Sequence, residues 1–271
     1  MDRFITAFGM AWGNFLRIPS PIKKWDESLR KTMLGFLPFI GIILGLIWIL
    51  VAWVFSVLPV PGPVGAFVMT FVIYAATGGL HLDGYMDVSD AIMSRRSLEE
   101  RRRILKDSHA GAFAIMMLVF LVLGTFASIW GMLGTKASPQ YLVALIAIPV
   151  VSRGISGLAV LNLKPMETSQ YNSIENEKGG VHSIAIIIQL VIYLAIISTI
   201  AGLTIGRPCV ITLAITSVAT AVASILSIFA AKKNLDGMNG DIAGWGISIG
   251  ELAGLLALSV SLAAVAIPVQ A

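Results

Sequence analysis

MLGFLPFIGIILGLIWILVAWVFSVL, Met33–Leu58, runs for 26 residues without one charged side chain. A helix needs about 20 predominantly apolar residues to cross a hydrocarbon layer of roughly 30 Å, and this stretch exceeds that. Its isoleucines and valines would favour a strand in water. Lipid, however, offers no partner to backbone polar groups, so a run of this length must be helical. Six more runs follow: Pro63–Leu80, Ala112–Leu133, Tyr141–Leu161, Val181–Leu203, Pro208–Ala231 and Ile247–Pro268. The second is short and punctuated by glycine near its end. The pattern predicts an all-α, polytopic integral membrane protein of about seven transmembrane helices with a cytoplasmic N-terminus.

Composition agrees. Of 271 residues, 57% are hydrophobic and 13% charged, and the mean hydropathy is +0.88. Soluble chains carry about 25% charged residues. A disordered chain, a collagen-like chain, a disulfide-stapled secreted domain and a soluble enzyme are therefore excluded. Cys209, the single cysteine, has no internal disulfide partner. The first 31 residues mix polar and apolar positions without the pattern of a cleavable signal, so insertion is expected to rely on the helices themselves.

Charge sets the orientation. With the N-terminus inside, segments 1–32, 81–111, 162–180 and 232–246 are cytoplasmic and hold sixteen of the nineteen Lys and Arg. The opposite side receives only Lys136 and Arg207, and Arg153 falls within a span. This is the positive-inside asymmetry. All fifteen Asp and Glu lie in the cytoplasmic segments or, for Glu251, just inside the following span. Chemistry is thus expected at the cytoplasmic face. Without a visible repeat or soluble domain, residues 1–271 read as one membrane-embedded domain whose main motifs lie in loop 81–111.

That region reads GGLHLDGYMDVSDAIMSRRSLEERRRILKDSHAGAFA, Gly78–Ala114. Asp83, Asp87 and Asp90 stand at i, i+4 and i+7, on one stripe of a helix. Like charges so spaced repel, and a divalent cation would relieve them; an oxygen-only donor set suits Mg²⁺. The plainer alternative is one helix-capping Asp with the others in water. Most arginines of the loop read as headgroup anchors, whereas Arg95, Arg96 and Lys106 lie nearest the acidic and glycine-flanked motifs and suit phosphate contacts. Nucleic acid is not expected as a partner, because the loop lacks interleaved aromatics and enters membrane at both ends. Asp107 or Ser108 is a candidate N-cap for the next span. His109 reads as a general base or a surface cap, His81 is similarly ambiguous, and His182 reads as structural.

Two features lie deeper. Arg153 is intramembrane and so marks a functional site or a buried ion pair, with Glu251 as the available partner. The segment DGMNGDIAGWGISIGE, Asp236–Glu251, holds five glycines in sixteen residues. These suit either an anion-facing turn or close helix packing. Asp241 and Glu251 would mark two depths of one cleft.

In order along nearly the whole chain, these elements resemble the cobalamin synthase family, adenosylcobinamide-GDP ribazoletransferase. The resemblance runs through Phe15-Leu16-Arg17-Ile18-Pro19, the F-x-P-x-x-G-x-x-x-G pattern at Phe36–Gly45, Gly78–Ala91, Lys106–Ala114, Arg153, and Asn239-Gly240-Asp241-Ile242-Ala243-Gly244. It departs at His109, where an arginine is usual, at Asn239, where threonine is usual, and at Ser248, where an acid is common. Loop Lys164–Gly180 matches poorly. The resemblance implies transfer of α-ribazole, or its 5′-phosphate, onto adenosylcobinamide-GDP, with GMP leaving and Mg²⁺ required. Mapped onto this chain, Asp83, Asp87, Asp90 and Asp241 would hold the metal. Asp87 would take the hydroxyl proton, with Asp83 and Lys106 completing the catalytic set. Arg95, His109, Arg153, Asn239 and Glu251 would contact substrate. The partners implied are the two substrates and the bilayer, with room for a homo-oligomer or for association with other cobalamin-assembly enzymes.

Two rival readings fit the sequence less well. A CDP-alcohol phosphotransferase also places aspartates at a membrane rim, but it carries an Ala-Arg pair shortly after Asp-Gly that Gly84-Tyr85-Met86-Asp87 lacks. A small-solute transporter would show inverted repeats and polar residues through the spans, and would leave the aspartate stripe without a role.

Overall fold

The computed structural model describes residues 2–20, 22–134, 139–167, 169 and 179–266. The described chain is helical: α1 (Asp2–Phe15), α2 (Arg30–Leu34), α3 (Leu37–Val57), α4 (Gly62–Ala76), α5 (Leu80–Met93), α6 (Leu98–Ile104), α7 (Ala112–Gly134), α8 (Pro139–Asn162), α9 (Gly180–Thr204), α10 (Arg207–Leu235) and α11 (Gly240–Ala266). Among the described residues the β-structure is a single bridge, Pro165 to Met238. Six helices, α3 and α7–α11, are long and apolar enough to cross a membrane, and the bent pair α4–α5 makes up to seven. The protein is a polytopic membrane protein, as the apolar runs predict.

The second run differs from expectation in shape. α4 stops at Ala76 because Gly78 and Gly79 both adopt left-handed backbone angles, φ +63° and +76°, which cost glycine nothing and other residues dearly. The chain turns 91° there, and Thr77 Oγ1 donates to the freed carbonyls of Ile73 and Tyr74. What reads as the start of a loop is therefore a 14-residue helix, α5. The last run begins earlier than Ile247, at Gly240. Pro268, Lys136 and most of loop 164–180 lie outside the described residues.

Burial separates core helices from lipid-facing ones. Most of the apolar window of α8 (78%) is buried in the protein, against 17% for α9; Val181, Val191 and Leu203 of α9 point outward. α8 also carries Arg153, so this charged side chain deep in a span faces protein rather than lipid. Small residues bring the core helices close. On α3, Gly41 and Gly45 lie against the α8 backbone at Pro149–Val150 and Ile146, and on α11 Gly246, Gly250 and Gly254 face Ile228, Ser224 and Thr220 of α10. The glycines of Asp236–Glu251 thus serve mainly as packing surfaces.

α5 packs chiefly on α11 and α7, near the end of the bundle where those helices begin and α4, α8 and α10 finish. Ser248 Oγ donates to the His81 carbonyl, and Tyr85 stacks on Trp245 at 4.8 Å between centroids. The Tyr85 hydroxyl donates to Met117 O. α6 is pinned to the same end, with Arg101 donating to Asn234 O and Arg102 to Leu235 O and Asp236 O. These arginines cap the C-terminus of α10, whose dipole and free carbonyls attract cations, rather than anchoring on headgroups.

A candidate active site at the acidic end of the bundle

Periodicity puts Asp83, Asp87 and Asp90 on one stripe of α5. α11 begins with Asp241 in its first turn, and the two helices meet at Gly84, where an added Cβ would lie 2.7 Å from Asp241 Cα. Asp83 and Asp241 line a common cavity of about 220 Å³ with Asn14, His81 and Ser156. Asp83 also lines a second cavity of about 500 Å³ that includes Asn14 and Arg17. On α5, burial, then the charges of Asp83, Asp241 and Asp90, push the Asp87 carboxyl up to about 7. Among the described residues no three His, Cys, Asp or Glu side chains are gathered into a self-sufficient metal cage.

The other predicted positions are placed as follows. Asp90 turns to α7: Gly111 N donates to its Oδ2 and Ala114 N to its Oδ1, at 3.0 Å. The N-cap of α7 is thus supplied across the fold by α5, and Asp107 instead accepts from its near neighbour His109, at Nδ1 (2.7 Å) and backbone N (3.0 Å). His109 is exposed, as are Lys106 and Arg95. Asn239 caps α11 by accepting from Ile242 N at 3.0 Å, while its amide donates to Asp241 Oδ2 at 2.6 Å. A threonine would perform the first task; asparagine adds the second. Arg153 and Glu251 form a buried ion pair in the bundle core, joined by Ser152 Oγ donating to Glu251 Oε1, and neither lines the described cavities. His182 pairs with Thr32 Oγ1 at 3.1 Å.

The structure brings two further polar side chains to the aspartates, Asn14 and Arg17. The only signal for them in the sequence is the Phe15–Pro19 element, which contains Arg17 and adjoins Asn14.

The Gly84 contact is with backbone, so it has no soft way to yield. Gly84→Ala is expected to force α5 off α11, costing about 1–3 kcal/mol as overpacking does, and to separate Asp87 from Asp241. Thermal melting in detergent together with turnover checks this: both fall, and turnover falls further.

Comparison with known proteins places this sequence in a family. Residues 7–259 match the cobalamin-5-phosphate synthase (CobS) family. Adenosylcobinamide-GDP ribazoletransferase of Clostridium perfringens (strain 13 / Type A) is 37% identical over 260 residues, spanning 96% of this chain and all of that protein. The proteins of that name from Clostridium botulinum (strain Alaska E43 / Type E3) and Listeria monocytogenes serovar 1/2a are 32% and 31% identical, covering 94% and 90% of this chain and 97% and 93% of their own lengths. No solved structure matches. With almost its whole length matched, and the acidic helix and the Asn239–Gly244 turn both inside that match, the chain belongs to the cobalamin-5-phosphate synthase family.

Proposed function

We propose that this protein is an adenosylcobinamide-GDP ribazoletransferase acting at the cytoplasmic face of a prokaryotic cell membrane. The observation that carries the reading is the juxtaposition of Asp83 and Asp241 on one cavity, with Asp87 beside them. In the reaction, a hydroxyl of α-ribazole or its 5′-phosphate attacks the phosphorus that bears the cobinamide. The new phosphodiester P–O bond forms, the anhydride P–O bond to GMP breaks, GMP leaves, and the hydroxyl proton passes to a base. Phosphoryl transfer asks for positioning and charge neutralisation more than covalent help.

The residues fit a Mg²⁺ ion of the kind that takes one or two protein carboxylates and completes its shell with substrate oxygens and water. Asp83 and Asp241 would hold it, and the mutual repulsion felt by Asp87 is the charge such an ion relieves. Bound there, it would neutralise phosphate charge. Asp87, held near neutrality in its proton affinity, suits the base. Asp90 fixes α7 to α5 and so positions the Lys106–Gly111 segment. Lys106 and Arg95 are among the exposed cations available to phosphates, as is His109 when protonated, while Arg153 holds Glu251 in the core. The positive-inside charge asymmetry supports the cytoplasmic orientation.

The test is turnover in proteoliposomes given both substrates, with corrinoids separated by chromatography. Cobalamin is expected to form with Mg²⁺, to cease on adding EDTA, and to return with excess Mg²⁺. Formation that is indifferent to chelation would remove the metal from the proposal.

A further inference from the structure

The larger cavity beside the acidic helix has an unusual charge arrangement. Of the residues that line it, only Asp83 and Arg17 are charged; the rest include Asn14, Thr77, Gly79 and Met86. Asp83 also borders the smaller cavity, with Asp241. The two cavities thus share Asn14, Leu80 and Asp83 as lining, with Asp241 on the smaller and Arg17 on the larger.

Arg17 is built into this place. Its backbone N donates to Ala76 O at 2.8 Å, the last carbonyl of α4. Its stem lies across Gly78, where an added Cβ would stand 2.5 Å from Arg17 Cγ and Cδ. The left-handed bend thus serves twice, turning α4 into α5 and clearing a groove for this arginine. The side chain is exposed and takes part in no ion pair or hydrogen bond among the described residues, unlike Arg101, Arg102, Arg103 and Arg153, which are all engaged. The first turn of α5 opens on the same cavity without a side-chain cap, adding its amide dipole to the field. A planar guanidinium facing an open cavity, across from a carboxylate suited to a cation, matches a diphosphate.

We infer that Arg17 is the residue that binds the nucleoside-diphosphate end of the substrate, with its guanidinium on the phosphates and Asp83 on the opposite side. The inference rests on the ribazole-transfer reading of the site. It adds a residue from the N-terminal segment, which the aspartate motif does not contain.

The test uses Arg17→Met, which keeps the stem over Gly78, and Arg17→Lys, which restores a charge. KM for adenosylcobinamide-GDP is expected to rise about tenfold or more in Arg17→Met, as loss of a charge-assisted contact implies, and to recover partly in Arg17→Lys. KM for α-ribazole stays within about twofold of wild type. Equal increases in both KM values, or none, would overturn the inference. Binding of GDP alone, followed as protection against heat in detergent, gives a readout that does not need turnover: GDP raises the melting temperature of the wild type and not of Arg17→Met. If GDP protects both alike, Arg17 does not bind the diphosphate. If phosphatidylglycerol protects the wild type through Arg17 and GDP does not, the site belongs to a lipid headgroup and the inference fails. Absence of turnover in the wild type, with GDP protection through Arg17 intact, would sink the transfer reading and leave the anion site standing.

Discussion

Asp87→Asn is expected to abolish turnover, by about 10³-fold or more, while leaving the protein folded. The replacement removes both a general base, worth about 10² to 10⁴, and negative charge from the cluster that would hold the Mg²⁺ ion that neutralises the phosphates. Stability should move the other way. The Asp87 carboxyl is raised from its ordinary value to about 7, so between about pH 4 and 7 the folded chain binds a proton that the unfolded chain has already lost. Stability from this group is present below about 4 and declines as pH rises through 7. At pH 8 in EDTA the wild type carries the full repulsion, and Asp87→Asn should melt at a higher temperature. Adding Mg²⁺ should raise the wild-type melting temperature and move that of Asp83→Asn much less. Melting curves in detergent with and without the ion test this; a variant that melts lower and retains turnover would remove Asp87 from the site.

The second large effect lies in the core. Arg153 is 1% exposed and Glu251 8%, and they form an ion pair between α8 and α11. Arg153 Nε finds no partner, so the pair is the guanidinium's main compensation for leaving water. Breaking such a pair by removing one member costs about 3–5 kcal/mol, whereas replacing both by apolar residues is often neutral or favourable. Glu251→Gln and Arg153→Met should each sharply lower thermal stability, and the double replacement Arg153→Met with Glu251→Met should recover most of it. Size-exclusion chromatography after a temperature ramp measures this. Additive losses in the double variant would show that the two charges act independently.

Much of the architecture could be read from residue order. Long uncharged runs admit one solution in lipid, and the one-sided distribution of acids marks a single working end. The i, i+4, i+7 aspartates are a helical stripe because α5 is a helix. The bend at Gly78–Gly79 was not legible, since paired glycines in an apolar run look alike whether they pack against a neighbour or take a left-handed turn. Asp90 misled for a different reason: its partners, the amides of Gly111 and Ala114, lie 21 and 24 residues away, and cross-fold capping leaves no local pattern. Arg17 was hidden among the cations of the N-terminal segment, where the positive-inside rule explains any one of them equally well. For Arg153 and Glu251 an intramembrane charge left two readings open, substrate contact or a buried pair, and the substrate contact expected of both gives way to the pair they form in the core.

The central claim is that a ribazole hydroxyl displaces GMP at this acidic bundle end. Purified protein in liposomes, given adenosylcobinamide-GDP, α-ribazole and Mg²⁺, tests it most directly when cobalamin and GMP are quantified in the same reaction. The account predicts one GMP released per cobalamin formed, and neither product from Asp87→Asn. Release of GMP without cobalamin, or no reaction under conditions where a Clostridium perfringens relative turns over, would contradict it.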